Sequence, residues 1–174
     1  GWTLSTSYYT ITETVAHDYI IEINTSAVTS PGSWQINITV DWPTSPPTYQ
    51  ERFLLAYLVV THRESSLTPY YVPSVDYGAS INITLVYYDV DGQSNIDNST
   101  YGGHVRFAVF NASDNSPLNP TIWNVTALPD DTYRILINTS YFGRVNVFHE
   151  FLINATWDAG YLPFYGNAST TATV

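Results

Sequence analysis

Apolar and polar residues alternate along most of this chain, and a period of two is typical of β-strands. Ile21 and Ile23 alternate with Glu22 and Asn24, and further examples lie at 36–40, 81–85, 133–137 and 153–157. Successive side chains of a strand point to opposite faces, so each segment predicts a strand with one buried side. No segment shows a helical period. The sequence therefore predicts an all-β fold.

Turn-forming pairs such as Pro31-Gly32 and Asp91-Gly92 separate these segments. With these breaks, the predicted strands lie near residues 8–13, 18–25, 33–42, 51–61, 67–74, 79–88, 104–111, 121–127, 132–139, 145–157 and 167–174.

The chain contains an internal repeat. Asp18–Ser26 (DYIIEINTS) matches Thr132–Ser140 (TYRILINTS), an offset of 133 − 19 = 114 residues. The next strand repeats as well, because Ile36–Thr39 matches Ile153–Thr156. A period of this length is the size of one immunoglobulin-like β-sandwich.

The two copies of the repeat are unequal, and they predict two domains. Residues 63–174 supply one complete seven-stranded immunoglobulin-like sandwich, whereas residues 1–62 supply only the last four strands of the pattern. Four strands cannot close a two-sheet core and leave edges unpaired. We expect the partial copy to be cut from a longer array, to pack on the second copy, or to take strands from another molecule.

Asparagine glycosylation sequons, N-x-[ST] without Pro, are unusually frequent in this chain. Such motifs mark exposed sites of secreted proteins, so their number predicts an extracellular, N-glycosylated chain. The alternative is that a composition rich in Ser, Thr and Asn creates the motifs by chance. The nine candidate sites are Asn24, Asn37, Asn82, Asn98, Asn111, Asn124, Asn138, Asn154 and Asn167.

Charge and composition exclude several classes of function. The net charge is −10, and all five basic residues are Arg. A basic surface for nucleic acid or anionic lipid is therefore implausible. The chain has no Cys, which removes thiol catalysis and disulfides. No apolar run is long enough to span a membrane.

Several phrases of the sequence resemble the Ig-like repeats of large archaeal cell-surface proteins. They are Arg63–Thr68 (RESSLT), Val75–Thr84 (VDYGASINIT) and Asp131–Ser140 (DTYRILINTS). The density of sequons with few charges is similar to that of glycosylated archaeal surface filaments. The resemblance implies surface-layer, adhesion or filament modules, whose subunits often join by donating a strand to a neighbour. It implies no catalytic residue.

One loop has a spacing of oxygen ligands that could suit calcium, although we expect no cofactor or metal. Its candidate ligands are Asp89, Asp91, Asn95 and Asp97. The Gly comes too early for an EF-hand loop, and no Glu occupies the bidentate position. The alternative is a polar hairpin turn with Asp-Gly at its tip.

No motif for catalysis is recognisable, and we expect no enzyme. The four His residues are scattered, and none belongs to a metal or nucleophile motif. The five Trp residues could form a sugar-binding platform, but aromatic residues in a sandwich are more often core. Trp157 falls on the inward phase of its strand and predicts a core residue.

We therefore expect a structural subunit of an archaeal extracellular filament or surface array. It would polymerise with itself head-to-tail by strand complementation, with residues 1–14 or 167–174 as candidate donor strands. One alternative is a carbohydrate-binding or adhesion module that contacts surface glycans or neighbouring cells. Another is a non-catalytic domain of a large surface enzyme.

Overall fold

The computed structural model describes residues 4–15, 18–40, 52–71, 73–96, 103–143, 147–158 and 160–174. These residues form an all-β protein, as the sequence predicts, with three short 3-10 turns and no α-helix among them. The chain divides into two compact units, residues 1–62 (unit 1) and residues 63–174 (unit 2).

Unit 1 contains two antiparallel strand pairs. In the first, β1 (Tyr9–Glu13) pairs with β2 (Tyr19–Ile23). In the second, β3 (Gly32–Val40) pairs with β4 (Arg52–Val60). Most side chains of these strands are exposed or half-buried, because each pair is a two-stranded sheet.

Unit 2 contains two larger sheets, of five and four strands. The order of the first is β10-β11-β6-β5, with β7 paired to β6; the order of the second is β13-β12-β8-β9. The strands are β5 (Ser65–Tyr71), β6 (Ser80–Asp89), β7 (Ser94–Asn95), β8 (Val105–Asn111), β9 (Ser116–Pro117), β10 (Trp123–Ala127), β11 (Tyr133–Asn138), β12 (Glu150–Trp157) and β13 (Ala168–Thr173).

One hydrophobic core lies between the two sheets of unit 2, as in a β-sandwich. It takes alternate residues from each central strand: Ile83, Ile135 and Ile153 come from β6, β11 and β12, and all three are 0% exposed. Tyr133, Ile135 and Ile137 form the buried side of the alternating segment 133–137, and the predicted burial of Trp157 is confirmed. Strand alternation thus identifies the core face of this unit.

The strand boundaries differ from the predicted ones at a few places. The strand predicted at 145–157 begins only at Glu150, and the one predicted at 67–74 spans Ser65–Tyr71. The two-residue strands β7 and β9 are too short to show a period, so the sequence pattern misses them.

The first residue of unit 2, Arg63, is fixed by three interactions within that unit. Its backbone N–H donates to the Phe164 carbonyl at 2.7 Å, and its carbonyl accepts from the Gly166 N–H at 2.9 Å. Its guanidinium lies 3.0 Å from the carboxylate of Asp89, which is 1% exposed. A buried carboxylate needs such a partner.

Candidate functional site

The internal repeat is preserved in the hydrogen-bonded geometry of the strands. Tyr9 lies opposite Ile23 in the β1–β2 pair, and Trp123 lies opposite Ile137 in the β10–β11 pair. The residue numbers of the two pairs differ by the offset of the sequence repeat, since 123 − 9 = 137 − 23 = 114. Unit 1 therefore repeats the strands of unit 2 in the same register.

The turns at the strand ends repeat in the same way. The Asn24 N–H donates to the Tyr8 carbonyl at 2.8 Å, and the Asn138 N–H donates to the Ile122 carbonyl at 2.8 Å. Asn24 and Asn138 each cap a short 3-10 turn, which spans Thr25–Ala27 in unit 1 and Thr139–Tyr141 in unit 2.

The central difference between the copies is the number of neighbours of each strand. In unit 2, β11 lies between β10 and β6, and β12 lies between β13 and β8. In the described part of unit 1, the equivalent β2 pairs only with β1, and β3 pairs only with β4. Among the described residues, one edge of β2 and one edge of β3 therefore lack the strand that their equivalents have.

The burial of the repeated apolar residues follows this difference. Ile135 and Ile137 are 0% exposed, whereas the equivalent Ile21 and Ile23 are only half-buried. The strands that would cover them correspond to β5, β6 and β8 of unit 2. Unit 1 is thus an unfinished copy of the repeat within the described residues.

Seven of the nine sequon asparagines are exposed. Asn24, Asn37, Asn82 and Asn138 are exposed, as expected of sequons, while Asn154 is half-buried on the outer side of β12. Asn98 lies outside the described residues. The exposed set is Asn24, Asn37, Asn82, Asn111, Asn124, Asn138 and Asn167.

Three of these sequons adopt the same local turn. The Oδ1 atoms of Asn24, Asn111 and Asn138 each accept a backbone N–H two residues later, at 2.9, 3.1 and 3.0 Å. This Asx-turn uses the side-chain oxygen. The Nδ2 atom, which carries the sugar in an N-glycan, is the other polar atom of each exposed amide.

Asn119 forms the same turn without being a sequon. Its Oδ1 accepts the Thr121 N–H at 3.0 Å and the Thr121 hydroxyl at 3.0 Å. Pro120 occupies the middle position, which excludes the site as an acceptor. Asn119 is therefore an internal control, because it has the same Asx-turn as the three sequons but a Pro that blocks glycosylation.

Sequons lie on the outer faces of both sheets of unit 2. Asn82 and Asn124 flank Leu136 across β6, β11 and β10. Asn154 lies in the outer row of β12, between Ala108 and Ser169. Sugars at these positions would cover both flat faces of the sandwich.

Two of the candidate calcium ligands have other partners within unit 2. Asp89 is the last residue of β6 and binds Arg63, while Asp91 Oδ2 accepts the Glu64 N–H at 2.8 Å. Asn95 belongs to β7, and Asp97 lies outside the described residues. No group of three or more His, Cys, Asp or Glu side chains comes together in the part that the structure describes.

None of the three described Trp residues is exposed. Trp157 is buried, Trp34 and Trp123 are half-buried, and Trp2 and Trp42 lie outside the described residues. His104 stacks on Tyr161 with ring centroids 3.4 Å apart. His104 directly precedes β8, so this ring pair lies at the start of that strand.

No protein-family model and no curated protein matches this chain. Within the described residues, no helix has the length and apolar character needed to cross a bilayer.

Proposed function

We propose that this chain is an N-glycosylated structural subunit of an archaeal extracellular filament or surface array, assembled by β-strand addition between copies. The observation that carries this proposal is the unfinished repeat of unit 1. Strands β2 and β3 each have an edge whose equivalent is paired in unit 2 and which is open in the described part of unit 1. Open edges are templates for pairing with another chain.

The strand order of unit 2 supports an immunoglobulin-like identity. Apart from the two-residue strands β7 and β9, unit 2 has seven strands, which we label A to G in chain order: β5, β6, β8, β10, β11, β12 and β13. With these labels, the order of one sheet is D-E-B-A, and the order of the other begins G-F-C. This is the order of an immunoglobulin-type sandwich. Unit 1 then corresponds to strands D to G, and it needs the equivalents of A, B and C.

Parts of both terminal segments that the sequence suggests as donors already form strands paired within the chain. Residues 9–13 form β1, and residues 168–173 form β13, which pairs with β12. Donation by either segment therefore requires that β1 or β13 leaves its own partner and exchanges with a neighbouring copy. The accepting edges remain β2 and β3.

The exposed sequons support the extracellular part of the proposal. Glycans on both faces of unit 2 would hinder broad face-to-face packing of this unit. Strand edges and the ends of the sandwich would stay accessible. Main-chain hydrogen bonds along an edge need no Cys or Lys, and the chain has neither.

A matched pair of proline variants tests the edge directly. The backbone N–H groups of successive residues in a strand point to opposite edges. The Asn24 N–H points to β1, so the N–H of Ile21, three residues earlier, points to the open edge of β2. Ile21→Pro should abolish polymers in negative-stain microscopy, because Pro removes that donor. Ile11→Pro, in the partner strand β1, distinguishes two cases. Polymers should persist if β1 stays in place, because β1 corresponds to β10, an outer edge even in unit 2, and should be lost if β1 is itself the donated strand.

If the native chain is monomeric by microscopy, the filament proposal is wrong and a monomeric adhesion module replaces it. If Ile21→Pro and Ile11→Pro both leave polymers intact, the chain polymerises without the β2 edge.

A further inference from the structure

Strand β4 exposes an uncharged row of large apolar side chains on one face. The row consists of Phe53, Leu55, Tyr57 and Val59, which we call the β4 stripe. These residues are 72%, 47%, 73% and 65% exposed, respectively. A contiguous apolar patch of this kind on a folded protein marks an interaction surface.

The repeat supplies an internal comparison for this row. Asn37 lies opposite Leu55 in unit 1, and its equivalent Asn154 lies opposite Ser169 in unit 2. By the same register, Tyr57 corresponds to Thr171 and Val59 corresponds to Thr173. The three positions are thus polar on β13, where they are exposed to solvent, and apolar on β4. The apolar row is not a requirement of the repeat.

The other half of the same face is polar. Ser33, Gln35, Asn37 and Thr39 of β3 lie opposite the stripe residues. Side chains directly opposite in an antiparallel pair have Cβ atoms about 5 Å apart. A glycan on Asn37 would therefore stand beside Leu55 and cover the β3 half, leaving the β4 half accessible.

We propose that the β4 stripe is the contact surface for the β4 stripe of a second copy of this chain. Four side chains at these exposures present on the order of 400–500 Å² of apolar surface. Two such rows together bury about 800–1,000 Å², close to the lower limit of specific interfaces. Within the described residues, neither row of this face includes a charged side chain, so two copies of an acidic chain can meet along these rows without like-charge pairs.

The sequon at Asn37 selects one arrangement of the two copies. The two-fold axis lies between the two stacked sheets and can run along the strands or across them. An axis parallel to β4 places the two β3 strands on opposite sides of the contact, so each Asn37 glycan extends past the open edge of the other copy's β4. An axis perpendicular to the strands would stack β3 on β3 and bring the two Asn37 glycans together. In the selected arrangement, Leu55 faces Leu55 of the second copy across sheets about 10 Å apart.

This contact is independent of strand addition at β2 and β3, and the Ile21→Pro chain separates the two. In that chain, sedimentation should show a dimer of twice 19.5 kDa plus any attached sugar. Adding L55S, Y57T and V59T, which install the residues found on β13, should halve the mass. The exposed positions tolerate Ser and Thr, and circular dichroism checks that the strands remain.

A monomeric Ile21→Pro chain would overturn the stripe contact, as would a dimer that survives the triple substitution. If Ile21→Pro leaves polymers intact but stripe substitution removes only their lateral pairing, strand addition at the β2 edge fails and the stripe contact stands.

Cross-linking gives a second test that does not depend on the variant's stability. The chain has no Cys, so Leu55→Cys introduces a single thiol on the stripe. A short bismaleimide should join two Leu55→Cys copies into a covalent dimer. Thr171→Cys places the thiol at an exposed position of the same row of β13 without altering a sequon, and it should remain uncoupled. Equal cross-linking of the two variants, or none of Leu55→Cys, would overturn the proposal.

Discussion

Ile21 and Ile135 occupy the same position of the internal repeat, yet only Ile135 is fully buried. Ile135 lies between Val125 of β10 and Ile83 of β6, and it is 0% exposed. Ile21 lies opposite Ile11 of β1 and is half-buried. The equivalent strands β2 and β11 thus have the same register with their partner, but in the described residues only β11 has a second neighbouring strand.

This difference predicts unequal costs of truncation. Ile135→Ala should lower the free energy of unfolding of unit 2 by about 2–5 kcal/mol, because it leaves a cavity in a packed core. Ile21→Ala should cost much less in the dilute chain, since part of the side chain is already in water. Chemical denaturation of the two variants measures both values. A near-zero cost at Ile135 would refute the strand phase of β11.

Glycan occupancy should follow the sequon rule at fixed turn geometry. In protein purified from its native source, Asn24, Asn111 and Asn138 should carry sugars, whereas Asn119 should be bare because Pro120 follows it. Pro120→Ala, produced in the same host, should add one glycan at Asn119. Site-resolved mass spectrometry measures this occupancy. Bare Asn24, Asn111 and Asn138 in native material would contradict the extracellular assignment.

The Arg63–Asp89 pair should be sensitive to a small residue nearby. A Cβ at Gly92 would overlap the Asp89 carboxylate and the Arg63 guanidinium. Gly92→Ala should therefore push the pair apart and destabilise unit 2, as should Arg63→Ala, which leaves a buried carboxylate unpaired. We expect about 2–3 kcal/mol for Arg63→Ala, below a fully buried pair because the Arg63 side chain is 41% exposed. Gly143→Ala, where a Cβ meets nothing within 4 Å, is the control for Gly92→Ala.

Tyr87 should make stability fall at alkaline pH. Burial raises the pKa of its hydroxyl above the ordinary value of 10.0, and the Asp89 carboxylate raises it further against the opposing effect of the Ser65 hydrogen bond. Below pH 10 the group is protonated in both states and its contribution is complete. As the pH rises through the folded pKa, the unfolded state has already lost its proton, so the free energy of unfolding falls.

Tyr87→Phe tests this dependence. The hydroxyl donates to the Gly166 carbonyl at 2.6 Å, so the variant should lose about 1 kcal/mol at neutral pH. It should also show a shallower decline above pH 10 than the parent chain. An unchanged alkaline slope would mean that another tyrosine causes the decline.

Most of the strands could be predicted from the sequence, because alternation is a local signal. Ile81, Ile83, Leu85 and Tyr87 all lie inward as their period indicates. The same period continues to Asp89, which the loop motif suggested as a calcium ligand. Its partner Arg63 comes close only through the β5–β6 pairing, which places Ser65 opposite Asp89. Such non-local pairing is not encoded in a short motif.

The contrast between β4 and β13 also could not be predicted. Their residues differ too much for an alignment, and the equivalence of Leu55 and Ser169 appears only from the registers with β3 and β12. Two of the three 3-10 turns follow Asn24 and Asn138. Their Asn-Thr-Ser phrases are sequons, but Asn is also a strong turn former, so the same residues allow both interpretations.

Hydrogen exchange at β2 tests the central claim, that unit 1 is completed by another copy on assembly. The peptide covering Tyr19–Ile23 should exchange rapidly in dilute, unassembled chain and become protected in the assembled form, because its open edge gains hydrogen bonds. The equivalent peptide Tyr133–Ile137 should be protected in both. Full protection of Tyr19–Ile23 in the dilute chain, or no gain on assembly, would contradict the claim.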